Sequence, residues 1–273
     1  MQPGRFGGGG QAVADTLERR TVDRAGRGPS GGGGSGSRHR PKYIEGVLTT
    51  DVCGFAGQCE VCRAWTPGSL CQDCLARFAA PRPRCPGCAM PLATAAARCG
   101  RCQQDPPPFE AACCAVDYGF PWDRLIGDFK YRRRPELAAA LAARLVDALD
   151  VGERQWPELL VPVPLAPQRL RERGHDQAWE LARRVARSIG RPAQARALGR
   201  LDGGAPAATL DRQERRKALH GRFVAIRREA FAGRRVALVD DVMTTGATAA
   251  EAARCLLRAG AAAVHVWVLA RTP

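Results

Sequence analysis

Long hydrophobic runs are missing from this 273-residue chain. No segment resembles the apolar core of a signal peptide, and none is long enough to cross a bilayer. A cytoplasmic protein without membrane insertion is therefore expected. Aromatic residues are sparse, at 6%, and are not interleaved with the basic ones as a base-stacking surface would require. No convincing catalytic triad is present, so no nucleophile of the protein's own is expected, and no helix-turn-helix signature supports a transcriptional regulator. Residues 1–42 lack large apolar side chains almost entirely. With Gly7–Gly10, Gly31–Gly34 and scattered arginines, they cannot offset the entropy of ordering. The expectation is a disordered Gly/Arg-rich tail over residues 1–45, or an over-extended start with the working protein beginning near Tyr43–Val47.

What the chain has in excess is positive charge. The formal net charge is +15, of which +5 lies in residues 1–42 and +10 in the body. Basic residues bunch at Lys130–Arg134, at Arg169–Arg173 and through Arg212–Lys217. Such an excess attracts polyanions. Two readings stay open: it serves a pyrophosphate-bearing ligand and solvated helix faces, or it contacts nucleic acid.

Cysteine is the second excess. Eight of the 12 cysteines form four C-x-x-C pairs, Cys59/Cys62, Cys71/Cys74, Cys85/Cys88 and Cys99/Cys102. A C-x-x-C turn aims two thiolates at one tetrahedral centre, and two such turns complete a structural zinc site. Two small zinc ribbons in series are expected over residues 53–106, with successive pairs sharing a site and an interleaved arrangement as the alternative. Disulfides are the competing reading, but they need an oxidising compartment for which no export signal speaks. Redox exchange does not use four pairs in so short a span. Cys113, Cys114 and Cys255 sit in apolar segments and read as small buried residues, with Cys53 left over. A module with so little core draws most of its folding free energy from metal.

The body reads as α/β. Ala111–Tyr118 and Leu159–Val163 have strand character, Trp122–Lys130 and Glu136–Leu149 helical spacing, and Ala178–Ser188 a further helix. Pro162–Pro167 reads as a stiff turn followed by a basic loop, Arg169–Gln177, whose arginines would suit an anion. Val236–Val239 is a short β-branched run, so a buried parallel strand, with Asp240 and Asp241 expected just beyond its carboxyl end. Met243–Thr248 then offers hydroxyls, a flexible Gly246 and backbone N–H groups at a helix N-terminus, a setting suited to phosphate. Two carboxylates beside a phosphate cradle repel it unless they face something else. Sugar hydroxyls resolve the conflict, and a divalent cation offsets the remaining repulsion.

This motif resembles the phosphoribosyl pyrophosphate (PRPP) signature of type I phosphoribosyltransferases. The resemblance implies that Asp240 and Asp241 take the ribose 2′ and 3′ hydroxyls and act as the catalytic pair, while Thr244, Thr245, Gly246 and Thr248 take the 5′-phosphate. Over about residues 59–273 the chain is further similar to the ComF family of competence and DNA-utilisation proteins. The similarity rests on the four Cys pairs, Arg101–Pro108, Leu125–Tyr131, Val161–Leu165, Arg173-Gly-x-x-Gln177, the PRPP motif and the ending Val266–Thr272.

The family resemblance implies a phosphoribosyltransferase-like domain over residues 110–273, a mostly parallel sheet flanked by helices and preceded by the small Cys-rich zinc-ribbon module. It places Pro164–Arg169 as the pyrophosphate loop and Arg169, Arg171 and Arg173 in the mobile basic loop. Lys130 either reaches phosphate or complements a helix end. Implied ligands are two structural Zn²⁺ and Mg²⁺ with PRPP; implied partners are single-stranded DNA or a DNA-uptake helicase. The family loop usually reads Arg-Gly-Phe-Asn-Gln, whereas this chain has His175 and Asp176, and Ala218 stands where the family tends to carry Asn. His175 could keep the aromatic contact but is no general base by itself. Gly199–Leu210 shows no base-binding set that would identify an acceptor. An active transferase, a DNA-handling protein and a PRPP-sensing regulator are the functions in contention.

Overall fold

A computed structural model of the chain describes residues 57–94, 98–149, 156–201 and 221–273. The expected tail over 1–45, Cys53, the basic run Arg212–Lys217, Ala218 and most of Gly199–Leu210 lie outside the described residues.

The centre is a four-stranded, wholly parallel sheet. Its strands are β3 (Ala111–Asp117), β4 (Leu159–Pro162), β7 (Arg235–Met243) and β8 (Ala263–Arg271), in the spatial order β3-β8-β7-β4. β4 is buried at every position and β8 at all but its first residue, as a parallel sheet covered on both faces requires. On one face lie α3 (Trp122–Tyr131), α4 (Leu137–Ala148) and α6 (Gln177–Ser188). Their apolar stripes, including Leu125, Ile126 and Phe129, Leu141 and Leu145, and Leu181 and Val185, meet Ala237, Val239 and Leu269 of the sheet. α7 (Ala247–Arg258) covers the opposite face, where Ala249, Ala252, Ala253 and Leu256 pack on Val236, Leu238, Val264 and Val266. Each large aliphatic or aromatic side chain buried in this way contributes about 1.5–3 kcal/mol. The α/β class with a Cys-rich module ahead of the sheet is the architecture expected from the sequence.

Two local expectations are corrected. The stretch after Pro162–Ala166 is helical, α5 (Pro167–Arg173), rather than a basic loop. Pro167 occupies the first helical turn, where its fixed φ favours the helix and its missing N–H costs nothing. A Gln168–Glu172 side-chain hydrogen bond of 3.0 Å spans one turn, and Gly174, at φ 76°, closes the helix in the left-handed region that favours glycine. The second correction concerns β7, which runs on through Asp240 and Asp241 to Met243 instead of stopping at Val239. Pairing with β8 continues in unbroken register, Asp240 opposite Val268 and Met243 opposite Arg271.

A small antiparallel ribbon, β5 (Leu198–Arg200) with β6 (Phe223–Ala225), lies beside the sheet, and Phe223 feeds the same core as α7. The Cys-rich region contains the two-residue strands β1 (Gly57–Gln58) and β2 (Trp65–Thr66) and the short helices α1 (Gln72–Phe78) and α2 (Gly100–Gln104). It is tied to the sheet region by long-range polar contacts. Trp122 Nε1 donates to the Phe78 carbonyl at 2.7 Å, Arg134 binds Glu60 through two nitrogens at 2.6 and 2.8 Å, and Arg82 and Arg84 converge on Asp117.

Candidate functional site

The order of connections fixes where a ligand crevice can form. From β4 the chain leaves towards α6 on one face; from the adjacent β7 it leaves to α7 on the other. The carboxyl ends of β4 and β7 therefore part, and such a switch point is where open α/β sheets take ligands. Val163–Ala166 lies on one side of this opening and Asp240–Gly246 on the other.

Asp240 and Asp241 are adjacent strand residues, so their side chains leave β7 on different sides and meet different surroundings while remaining electrostatically coupled. Asp241 is buried, and the Lys130 ammonium at the end of α3 lies 2.9 Å from its Oδ1. Asp240 is half-buried and accepts the Asp241 N–H at 2.8 Å. Burial, followed by the charge of Asp241, pushes the Asp240 carboxyl up to about 8, with the Asp241 N–H and Lys130 pulling the other way. Asp176 is a third carboxyl in this group. Burial raises its pKa against hydrogen bonds from the Trp179 and Ala178 amides, and Asp241 adds to the rise. Its side chain caps α6 by accepting from Trp179 N at 3.0 Å. His175 lies beside it, tilted against Phe129 with ring centroids 5.4 Å apart, so the aromatic contact at this position is kept.

Beyond Met243 the loop turns sharply at Gly246, φ 79°, a backbone conformation that glycine adopts without strain. Gly246 is also the N-cap of α7 and brings no side chain to its first-turn amides. Thr245 Oγ1 accepts from Ala247 N at 3.3 Å. Thr244 is exposed, while Thr245 and Thr248 are half-buried. A helix start left without a side-chain cap in this way suits an anion.

The three arginines of α5 separate. Arg169 and Arg171 are exposed. Arg173 is buried, donating to Gln177 Oε1 at 2.8 Å and to the Tyr131 hydroxyl at 3.2 Å, with its guanidinium over the Tyr131 ring at 4.9 Å. Its Nε is buried without a hydrogen-bond partner among the described residues. Sequence reasoning missed Arg200 and Arg222 altogether. The β5–β6 ribbon sets Arg200 over the Phe223 ring, and Arg222 accepts through its carbonyl from Leu201 N at 2.8 Å. Burial lowers the Arg200 pKa, as do Arg169 and Arg222, while Asp240 raises it, so these charges share one region. Nothing in a linear pattern ties residue 200 to residue 240; the ribbon pairing does.

The Cys-rich module divides sequentially. Cys59, Cys62, Cys71 and Cys74 form one cluster and Cys85, Cys88, Cys99 and Cys102 the other, the sulfurs of each lying within 4.8 Å of one another. Cys62 and Cys71 are 3.6 Å apart at sulfur and Cys88 and Cys99 3.7 Å. A tetrahedron with metal–sulfur bonds of about 2.3 Å has an edge of about 3.8 Å, so both clusters fit a tetrahedral ion. No described cysteine is bridged, and these separations are far beyond a disulfide bond. Burial raises the Cys59 thiol, but backbone N–H donors at Cys62, Cys71 and Val61 outweigh it and bring the pKa down to about 6. At Cys85 the same contest, with amides of Cys99, Cys88 and Gly87, ends at about 7. Burial and neighbouring sulfurs drive Cys74 and Cys102 the other way.

The second cluster stands over the Gly246 loop. A cleft between them is lined by Arg101, Cys102 and Pro106–Phe109 on one side and by Thr245, Gly246, Ala247 and Glu251 on the other. Glu251 is buried in α7, accepts Gly221 N–H at 2.9 Å and pairs with Arg254 at 3.2 Å. No helix among the described residues is long and apolar enough to cross a membrane.

No family model matches the chain. Among characterised proteins it is 36% identical over 224 residues to the DNA utilization protein YhgH of Salmonella typhimurium, covering 79% of this chain and 97% of that protein. To competence protein F of Haemophilus influenzae it is 32% identical over 207 residues, 74% of this chain and 90% of the other. Among solved structures, the glutamine PRPP amidotransferase of B. subtilis aligns at 20% identity and a TM-score of 0.36, over 52% of this chain and 30% of that one.

Proposed function

The chain belongs to the ComF family of competence and DNA-utilisation proteins, and from that premise we propose that it binds PRPP with Mg²⁺ at the carboxyl edge of its sheet and acts in DNA uptake or utilisation in the cytoplasm. The observation that carries this reading is the switch point between β4 and β7. There an acidic pair leads directly into a hydroxyl-bearing, glycine-turned helix start.

In the proposed complex Asp240 and Asp241 accept hydrogen bonds from the ribose hydroxyls, Asp241 sharing its charge with Lys130. Backbone N–H groups and hydroxyls of Thr244, Thr245, Gly246 and Thr248 hold the 5′-phosphate. Arg169 serves the pyrophosphate, with Arg200 and Arg222 adding positive field on the same side, while Arg173, held by Gln177 and Tyr131, fixes the end of α5. A bound Mg²⁺ would supply counter-charge to the pyrophosphate. The two Cys₄ clusters hold structural zinc, in keeping with their all-thiolate donor sets.

Heating the protein with and without PRPP·Mg²⁺ tests the reading. The melting temperature rises with PRPP, and Asp240→Asn or Asp241→Asn reduces the rise at least severalfold while zinc content stays at two ions per chain. No shift in the parent protein would remove the proposal. A PRPP-hydrolysis or exchange assay with a panel of nucleobases then separates a transferase from a PRPP-binding protein of DNA utilisation or a PRPP-sensing regulator.

A further inference from the structure

Arg271 is the largest fully buried side chain of the described residues, 1% exposed, and no carboxylate lies within ion-pair distance of it among them. Among the described residues its guanidinium donates to backbone carbonyls, with the Cys88 side chain also beside it. Nε donates to Cys88 O at 3.0 Å, and Nη1 donates to Met243 O at 3.1 Å and to the carbonyls of Thr244 and Thr272. A single guanidinium therefore joins a ligand residue of the second Cys cluster to the first residues of the Thr244–Gly246 loop. The joint is braced from both sides. Ala112 N donates to Pro86 O at 2.7 Å, fixing the Cys85–Cys88 turn to β3, and Thr272 N donates to Met243 O at 3.1 Å.

The electrostatics run the same way. A buried guanidinium without a counter-ion is costly. Four thiolates around a divalent ion carry a net negative charge, and that charge would sit one residue's backbone away from Arg271. With the second cluster filled, Cys88 is held and Arg271 is both hydrogen-bonded and partly neutralised. Once that cluster is empty, the Cys88 carbonyl is free to leave and the remaining bonds to the loop have to carry the charge alone. Among the described residues the first cluster has no hydrogen-bonded link to the Thr244–Gly246 loop; its polar contacts to the sheet region run through Glu60–Arg134 and Phe78–Trp122, on α3 and the turn after it.

We propose that Arg271 is a positioning residue that couples the Cys85–Cys102 cluster to the Thr244–Ala247 loop, so that metal in the second cluster, and not in the first, sets the geometry of the anion-receiving loop. The affinity consequence rests on the PRPP reading above; the coupling does not. Hydrogen exchange on the full chain reads the coupling directly. Cys99→Ser, which empties the second cluster while sparing Cys88, and Arg271→Lys, which keeps both metals by elemental analysis, should each speed exchange of the Thr244–Ala249 amides by about tenfold or more, with β4 and α6 unchanged. Cys62→Ser in the first cluster should leave those amides as they are. In calorimetric titration with PRPP·Mg²⁺ the first two variants should bind about tenfold more weakly and Cys62→Ser should match the parent.

Parent-like exchange at the loop in Arg271→Lys, or equal effects of emptying either cluster, overturns the coupling. Should the parent itself fail to bind PRPP, the proposed ligand falls, and the exchange data still decide the strut.

Discussion

At the residue scale, Asp240 and Asp241 are set apart by environment rather than by type. Asp241 has a lysine at 2.9 Å; Asp240 has its neighbour's amide and a nearby like charge, and burial holds its pKa near 8 instead of the usual 3.8. The folded chain keeps a proton that the unfolded chain releases near pH 4, so raising the pH from about 4 to about 8 withdraws stability. Asp240→Asn removes this burden. Its unliganded melting temperature should exceed that of the parent at pH 8 by roughly 2–4 °C per kcal/mol relieved, and the two should converge towards pH 4. Calorimetric scans across that range check it; a variant that melts lower at pH 8 would mean that the carboxyl is stabilising in its charged form. The acidic pair and the following loop were legible in the sequence because they are contiguous. Pairing of Asp241 with Lys130, and of Arg271 with carbonyls at 88 and 243, was not, because only the folded sheet brings these positions together.

At the element scale, hydrophobic period was enough to find the main strands and helices, since both faces of the sheet impose it. The basic segment at Arg169–Arg173 misled, because its charges mask a helix whose signals are Pro167 at the start and Gly174 at the end. The next element explains a departure in the same region. Asp176 stands where the family usually has Asn, and its carboxylate oxygen caps α6 at Trp179 N, a task that Asp and Asn perform about equally. Asp176→Asn should therefore leave stability near neutral pH unchanged or slightly raised, since the Asp176 pKa is elevated by burial. Asp176→Ala should cost about 1 kcal/mol in denaturant midpoint analysis through the lost cap. A loss as large in the Asn variant would show that the charge, and not the cap, is what this position supplies.

Across the whole molecule, the division into Cys-rich module and sheet is plain in the sequence but their attachment is not. Glu60–Arg134, Phe78–Trp122 and Cys88–Arg271 join residues 44 to 183 positions apart. These contacts fasten the module to the sheet region. Charge is the remaining global property, and it has a measurable consequence. With +15 overall and +10 outside residues 1–42, single-stranded DNA should bind mainly through phosphates, displacing counter-ions as it does so. A protein engaging four or so phosphates loses on the order of fiftyfold in affinity between about 50 and 200 mM salt. Fluorescence anisotropy with a single-stranded oligonucleotide should give such a slope, and a chain lacking residues 1–42 should retain most of it, because two thirds of the excess charge stays. A flat salt response with strong binding would instead demand base stacking, for which exposed Trp65 and Tyr131 are the first residues to replace.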